Sequence, residues 1–257
     1  MTKKKFRSLI EILILVSLAV ITFSSLVYLY DVRDKIFKTI NINNETKYSK
    51  DEIKQNSLDT KFANLVLKGD YILFFRHAHR EKWIDVASYD AEELLQNLKG
   101  EDEYFKKAVC LSDMGVIQAK MMGEQLDRFN LPVSKVVSSP SCRSRQTAEL
   151  TFGKIDEIKN VFMHYGPFNE TRKKHAQLIK EELLDLNVEP GTNIIITAHG
   201  NTITKEVFDE IKYEKDDYSL EEGGFFVIKK DKKKLILLHK FWNYGSFSQA
   251  LYKRPLN

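Results

Sequence analysis

From about residue 70 onward, short blocks of uninterrupted apolar residues alternate with longer stretches of helical periodicity. Tyr71-Ile72-Leu73-Phe74-Phe75, Val136-Val137 and Ile194-Ile195-Ile196 are too short for helices and too uniformly apolar for half-exposed strands, so they read as buried strands of a largely parallel sheet. Phe225 to Ile228 and Leu235 to His239 read as a strand pair around a Lys-rich turn. Between them the spacing predicts helices. One runs from Asp113 to about Asn130, with Met114, Ile117, Met121 and Leu126 as its apolar stripe; a second runs from Asn169 to Leu186, ending before Pro190-Gly191; a third runs from Thr202 to Tyr213, capped by Asn201. The alternation predicts a three-layer α/β/α sandwich with a mostly parallel central sheet. Two stretches exceed what connections need, about Arg80 to Val109 and Thr151 to Tyr165, and long loops of this kind carry lids and binding residues. Trp83, Tyr89, Tyr104 and Phe105 in the first are candidate substrate contacts, although aromatics that pack a loop down are the commoner outcome.

The front of the chain follows another pattern. Lys3, Lys4, Lys5 and Arg7 precede an apolar run from about Leu9 to Tyr30, broken only by Glu11. Twenty or so helical residues reach ~30 Å, enough to span a bilayer. The basic flank predicts an uncleaved anchor with a cytoplasmic N-terminus and the rest of the chain outside the cytoplasmic membrane. A cleaved signal peptide is the competing reading; the run is long for one, and Thr22-Phe23-Ser24 is a poor cleavage site. Residues from about 31 to 61 are rich in Asn, Lys, Asp and Glu and read as a polar stalk, leaving residues 62–257 as the folded domain.

Charge excludes one class of partner. Of the 40 basic residues, the first ten positions hold four and no acid, so the remainder balances 36 against 36, which argues against a nucleic-acid-binding surface. The Lys-dense stretches at 173–174 and 229–234 read as a solvated helix face and a hairpin turn. Asn44-Glu45-Thr46 and Asn169-Glu170-Thr171 match the glycosylation pattern by accident of composition. Of the two cysteines, Cys110 precedes a helix start and Cys142 sits in a turn after the second strand; they read either as a disulfide, permitted outside the cytoplasm, or as buried thiols.

The strand ends carry the chemistry. The first apolar block runs straight into Arg76-His77-Ala78-His79, the second into Ser138-Ser139-Pro140-Ser141-Cys142-Arg143-Ser144-Arg145-Gln146-Thr147-Ala148-Glu149, and the third into Ala198-His199-Gly200. Ligand sites of open α/β sheets lie at the carboxyl ends of the strands. With Leu111-Ser112-Asp113-Met114-Gly115 and Gln118-Ala119 opening the helix between the first two, these segments resemble, in order, the histidine phosphatase superfamily, which includes the phosphoglycerate-mutase-like phosphatases. The resemblance covers roughly Asp70 to the C-terminus.

That resemblance implies that His77 is a nucleophile that becomes phosphohistidine. Arg76 and Arg143 would clamp phosphoryl oxygens, His199 would donate to the same group, and no cofactor or metal is implied. The chemistry agrees: phosphoryl transfer asks for converging cations and an in-line nucleophile, which a neutral imidazole supplies near neutral pH. Each residue also has a plainer reading. Arg145 shares the turn with Arg143, and one of the two faces solvent or a carboxylate; His199 could be a satisfied core histidine; His175 reads as solvated; His79 is placed at the pocket rim as a substrate contact. Glu170 stands about where the family's general acid is expected, yet reads equally as first-turn charge after an Asn169 cap, with Asp85 and Glu81 as rivals. Gly200-Asn201 after the second histidine, Ala78 in place of Gly, and Trp83 where an Asn is common depart from the mutases, so their substrate does not carry over.

The expected function is a phosphomonoesterase acting on a phosphorylated small molecule or envelope component. A protein phosphohistidine phosphatase, a non-catalytic phosphate-binding module and, least favoured, a metallohydrolase on His77-x-His79 are the alternatives.

Overall fold

The computed structural model describes residues 50–83, 86–164, 171–200, 202–212 and 218–253. The apolar run of the first thirty residues, most of the stalk, Glu170, Asp85 and Asn201 lie outside them. Among the described residues no helix is long and apolar enough to cross a membrane.

The elements in order are α1 (Lys50–Val66), β1 (Ile72–Arg76), α2 (Val86–Leu95), α3 (Lys106–Val109), α4 (Asp113–Arg128), β2 (Val133–Ser138), α5 (Cys142–Phe152), β3 (Glu157–Ile158), α6 (Arg172–Asp185), β4 (Asn193–Ala198), β5 (Glu210–Ile211), β6 (Phe225–Asp231), β7 (Lys234–Phe241) and α7 (Tyr244–Lys253). The strands form one seven-stranded sheet in the order β3-β2-β4-β1-β6-β7-β5. The core strands β2, β4 and β1 are parallel, while β6 runs antiparallel to both β1 and β7, so the sheet is mixed.

The apolar blocks are uniform because both faces of the sheet are covered. Ile72 and Phe74 enter one cluster with Ile194, Ile196, Phe226 and Ile228, beneath Ala176, Ile179 and Leu183 of α6. Leu73 and Phe75 enter the other with Ile195, Phe225 and Val227, beneath α1, α4, α5 and α7. The period of two along each strand sends alternate residues to opposite helical layers. Helix α1 covers the last part of the segment that reads as stalk, and its Asp59, Ala63 and Val66 are buried. Asp59 meets His239 Nε2 at 2.8 Å, so this end of the segment packs with the domain.

Four expectations are corrected. The stretch expected as a helix from Thr202 is not one over its described residues, 202–212: it forms a 3₁₀ turn at Lys205–Val207 and then β5, which pairs with β7. Ile203, Val207 and Phe208 are spaced as on a helix face, but the main chain instead bonds the sheet edge, with Asp209 and Lys212 N–H groups donating to Leu235 and Leu237. On α4, Met114, Ile117 and Met121 are exposed, and the buried face is Gly115, Ala119, Met122, Gly123 and Leu126. Small residues there allow close approach: a Cβ at Gly115 would fall 1.9 Å from the His79 carbonyl oxygen. His175 is buried, not solvated, with Nε2 3.0 Å from the Val161 carbonyl. The stretch from Arg80 to Val109 is no bare loop but contains α2 and α3, and Tyr89 stacks on Phe105 to pack it down.

Candidate active site

The hydrogen-bond register brings three strand ends level. Arg76 pairs with Ala198 and Ser138 with Thr197, so the residues that follow each strand, His77, Ser139 and His199, emerge together at the carboxyl edge. The His77 N–H donates to the Ala198 carbonyl at 2.9 Å and the Ser139 N–H to Thr197 at 2.8 Å, extending the ladder one step into the site. Helix α5 starts just beyond, and Arg143 in its first turn is directed inward. The result is a cavity of about 290 Å³ lined by Arg76, His77, Arg80, Arg143, His164 and His199, with Val86, Gly200, Ser219 and Leu220 completing the wall.

The motif residues between the chemical groups act as stitching. Thr147 Oγ1 accepts from the Ala78 N–H at 3.0 Å and donates to the Arg143 carbonyl at 2.7 Å, tying the loop after β1 to α5. Gln146 accepts from the Leu111 N–H, and Gln118 accepts from the His79 N–H. Cys110 and Cys142 form a disulfide that joins the end of α3 to the residue before Arg143. Among the described residues the one grouping with metal-ligand spacing is Glu101 with these two cysteines, whose sulfurs are already joined. Gly200 leaves room for Arg76, whose Cδ would lie 2.6 Å from a Cβ at that position.

Both imidazoles at the strand ends are neutral and oriented. His77 Nδ1 lies 2.7 Å from the Ala78 carbonyl, which can only accept, so the proton sits on Nδ1 and the Nε2 lone pair is left for attack. Burial and then the Arg143 charge push His77 well below the ordinary histidine range. The same two causes act on His199. Arg143 Nη2 donates to His199 Nδ1 at 3.2 Å, which places the His199 proton on Nε2, 3.1 Å from Ser139 Oγ. The rings of His77 and His199 stand edge to face, centroids 5.5 Å apart.

The arginines are held by carboxylates from outside the motifs. Arg143 makes a bidentate pair with buried Asp90 of α2, at 2.6 and 2.8 Å, while its Nε finds no partner among the described residues. Burial alone would raise the Asp90 carboxyl, but Arg143 and His164 hold it below the usual carboxylate range. Arg76 bonds the Leu220 carbonyl and faces Glu222 at 3.6 Å. Arg145, the other arginine of the turn, faces away to Glu93 and Glu101. Burial pushes the Glu93 carboxyl up to about 7, against the pull of the Cys142 N–H and Arg145.

The structure thus brings together Arg76, His77, Arg143 and His199. His79 does not line that cavity: it is exposed, bonds Ser112 Oγ at 2.6 Å and lines an adjacent cleft of about 630 Å³ that shares Arg76 with it and includes Lys82, Glu221, Glu222 and Asn243. The imidazoles of the His77-x-His79 pair therefore open into different clefts. Glu170 and Asp85 lie outside the described residues, and Glu81 is exposed and does not line the cavity. Arg80, Asp90 and His164 were not singled out by sequence. Arg80 sits four residues past the strand with no motif to flag it, and Asp90 and His164 come from stretches that read as loop.

No family model and no curated protein matches the chain. Solved structures do. A protein histidine phosphatase SixA solved with tungstate is 15% identical, covers 67% of this chain and 96% of its own, and has a TM-score of 0.46. A phosphoserine phosphatase from Entamoeba histolytica, solved with phosphoserine, is 15% identical over 66% and 95%, at 0.40. A protein described as mycobacterial hydrolase 1 is 16% identical over 68% and 98%, at 0.43. With TM-scores below 0.5, no residue role passes from these proteins to this chain.

Proposed function

We propose that this protein is a phosphatase that hydrolyses phosphomonoesters through a phosphohistidine on His77. The observation that carries the reading is the convergence of three guanidinium groups and two neutral imidazoles on one small cavity at the sheet's carboxyl edge. The guanidinium groups suit the equatorial oxygens of a transferring phosphoryl group, because they are planar, permanently charged and multiply donating. His77 supplies the nucleophile, its far nitrogen braced by the Ala78 carbonyl. The His199 ring beside it carries a proton on Nε2, where it can serve a phosphoryl oxygen in place of Ser139. The chain's likeness to solved phosphatases is in keeping with this reading.

The test is release of phosphate from p-nitrophenyl phosphate in the presence of chelator, with capture of an acid-labile phosphoenzyme. His77→Ala should abolish both while the far-ultraviolet spectrum is unchanged, and Arg143→Ala should cost several orders of magnitude. An active His77→Ala protein would overturn the assignment. A protein phosphohistidine phosphatase is the second reading. It is favoured by one observation: no carboxyl group among the described residues lines the cavity, and a leaving imidazole needs less help than an alkoxide.

The same reading places the enzyme outside the cytoplasmic membrane, held by the apolar run from Leu9 to Tyr30, where it would meet a phosphorylated envelope component or small molecule. The Cys110–Cys142 disulfide suits an oxidising compartment. A C-terminal reporter that works only outside the cytoplasm should be active on the full chain, and a soluble form starting near Ser25 would show cleavage instead.

A further inference from the structure

We propose that the groove between α4 and α7 binds the leaving group of the substrate, a phosphomonoester of an amphiphilic alcohol that is polar beside the phosphate and apolar beyond. The inference rests on the phosphatase reading and names the class of ester that reading leaves open.

The apolar stripe of α4 is the starting point. Met114, Ile117 and Met121 are each more than half exposed. Their i, i+3, i+7 spacing puts them on one face of the helix, over about 10 Å of its length. Such a stripe ordinarily meets a core, but here another face does so, through Gly115, Ala119, Met122, Gly123 and Leu126. The stripe is not left on a convex surface. It walls a cleft of about 530 Å³ whose other wall is Tyr244, Ser248 and Tyr252 of α7. The two helices are stitched together. Tyr244 Oη donates to the Met122 carbonyl at 3.2 Å, Gln125 Nε2 donates to Ser248 Oγ at 2.8 Å, and the Phe129 and Tyr252 rings meet edge to face at 5.4 Å.

The cleft is one of a chain that reaches the phosphate cavity. It shares Met114, Gln118, Tyr244 and Gly245 with the cleft of His79 and Lys82, and that cleft shares Arg76 with the phosphate cavity. Gln118 fixes the middle part: its Oε1 accepts from the His79 N–H at 2.8 Å, and its Nε2 donates to the Glu222 carbonyl at 3.2 Å. The loops after β1 and before β6 are thereby both held to α4.

The walls change character along this line. Beside Arg76 they carry charges of both signs and an amide, from Lys82, Glu221, Glu222 and Asn243. Past Met114 and Tyr244 they are chiefly methionine, isoleucine and tyrosine. A ligand anchored by its phosphate at Arg76 meets polar surface first and apolar surface next, which is the polarity of an amphiphile. Methionine side chains are unbranched and adaptable, and suit a flexible chain better than one rigid shape. A protein partner fits less well. A stable interface takes about 20–30 residues a side, whereas the apolar side chains more than half exposed in this groove are the three of α4 and Tyr252.

The experiment follows phosphate release from ethyl, butyl, hexyl and octyl phosphate by the full chain in phosphatidylcholine vesicles, unaltered and as Ile117→Asp or Met121→Glu. Comparing each variant with the unaltered protein on the same ester cancels partition of the ester into the vesicles. A fully buried methylene is worth about fourfold in affinity and a half-buried one about twofold. Both variants should therefore match the unaltered protein on ethyl phosphate and fall behind with length, by about tenfold or more in kcat/KM on octyl phosphate. Met121→Leu should keep the full length dependence, and urea midpoints should be unchanged because the positions are exposed. The same variant-to-unaltered ratio on every ester would overturn the groove while leaving His77 in place. If the unaltered protein then dimerised and Ile117→Asp did not, the stripe would belong to a second copy of the chain. Turnover of p-nitrophenyl phosphate but of no alkyl ester would likewise overturn the groove. Absence of phosphate release from every ester, p-nitrophenyl phosphate included, would overturn the phosphatase reading and this inference with it.

Discussion

Asp90 offers the sharpest test of how the site is built. Its carboxylate is fully buried, bonds Arg143 at 2.6 and 2.8 Å and His164 at 2.6 Å, and the Arg143 side chain is itself only 2% exposed. Asp90→Asn keeps the shape and removes the charge, leaving a guanidinium in a poorly hydrated site without its counter-ion and with an amide N–H₂ opposed to one of its own donors. Breaking one partner of a buried pair costs about 3–5 kcal/mol, a large share of the roughly 5–15 kcal/mol that holds a domain folded. With an m value of about 2 kcal/mol/M, the urea midpoint should fall by about 1.5–2.5 M. Inorganic phosphate should restore more of this in the variant than it adds to the unaltered protein, because the anion supplies the missing charge. Ligand at 100 times its Kd stabilises a one-site protein by about 2.7 kcal/mol, and the variant should exceed the unaltered protein's gain at equal phosphate. A midpoint within about 0.3 M of the unaltered protein, or an equal phosphate gain in both, would refute the view that Arg143 is a desolvated charge held ready for an anion.

The remaining predictions concern pH and packing. His77 and His199 have folded pKa values well below 6.5, so below pH 6.5 the unfolded chain binds two protons that the native one refuses, and their contribution to stability is lost as pH falls through that window. Glu93, raised to about 7, works in the opposite sense between its unfolded value and 7, leaving roughly one net proton and a slope of about 1.4 kcal/mol per pH unit near pH 5.5. Urea midpoints should therefore be nearly level from pH 7.5 to 6.5, where Glu93 offsets the histidines, and fall from 6.5 to 5.5; no fall over that lower interval would show that the two imidazoles are not held neutral. Gly115→Ala should cost about 1–3 kcal/mol by overpacking and should slow p-nitrophenyl phosphate turnover, since its Cβ would meet the His79 carbonyl and push the loop that follows His77; unchanged turnover and midpoint would count against that close contact.

What the sequence shows and hides follows from where each group finds its partner. β1, β2 and β4 were legible because both faces of each are apolar, and the residues just past their ends were legible because chemistry there interrupts an otherwise uniform block. Motif spacing favours Arg143 over Arg145 but does not say why; the physical difference lies in α2, where Asp90 takes one and Glu93 the other. That helix was itself invisible to periodicity, since its buried residues are Asp90 and Glu93 and its inward face is polar. The buried face of α4 was misplaced for the opposite reason: glycines and an alanine make the contact, and the large apolar residues are left outside. The Thr202–Tyr213 segment shows a third failure, in which helical spacing of Ile203, Val207 and Phe208 competes with a free sheet edge and loses.

The charges of the site suit it to an anionic ligand. Arg76, Arg80 and Arg143 line the cavity, and Glu222 and Asp90 stand behind two of them, so the described walls carry close to one uncompensated positive charge. Among the described residues Arg80 has no carboxylate in hydrogen-bond contact, and burial followed by the Arg143 charge lowers its pKa against the weaker pull of Asp90 and Glu222. A phosphomonoester dianion entering this cavity more than neutralises it. His77 and His199 stay neutral because burial, and then the Arg143 charge, disfavour their protonation. The two imidazoles that meet the Arg143 charge are thereby left, in the proposed reaction, to serve as nucleophile and hydrogen-bond partner.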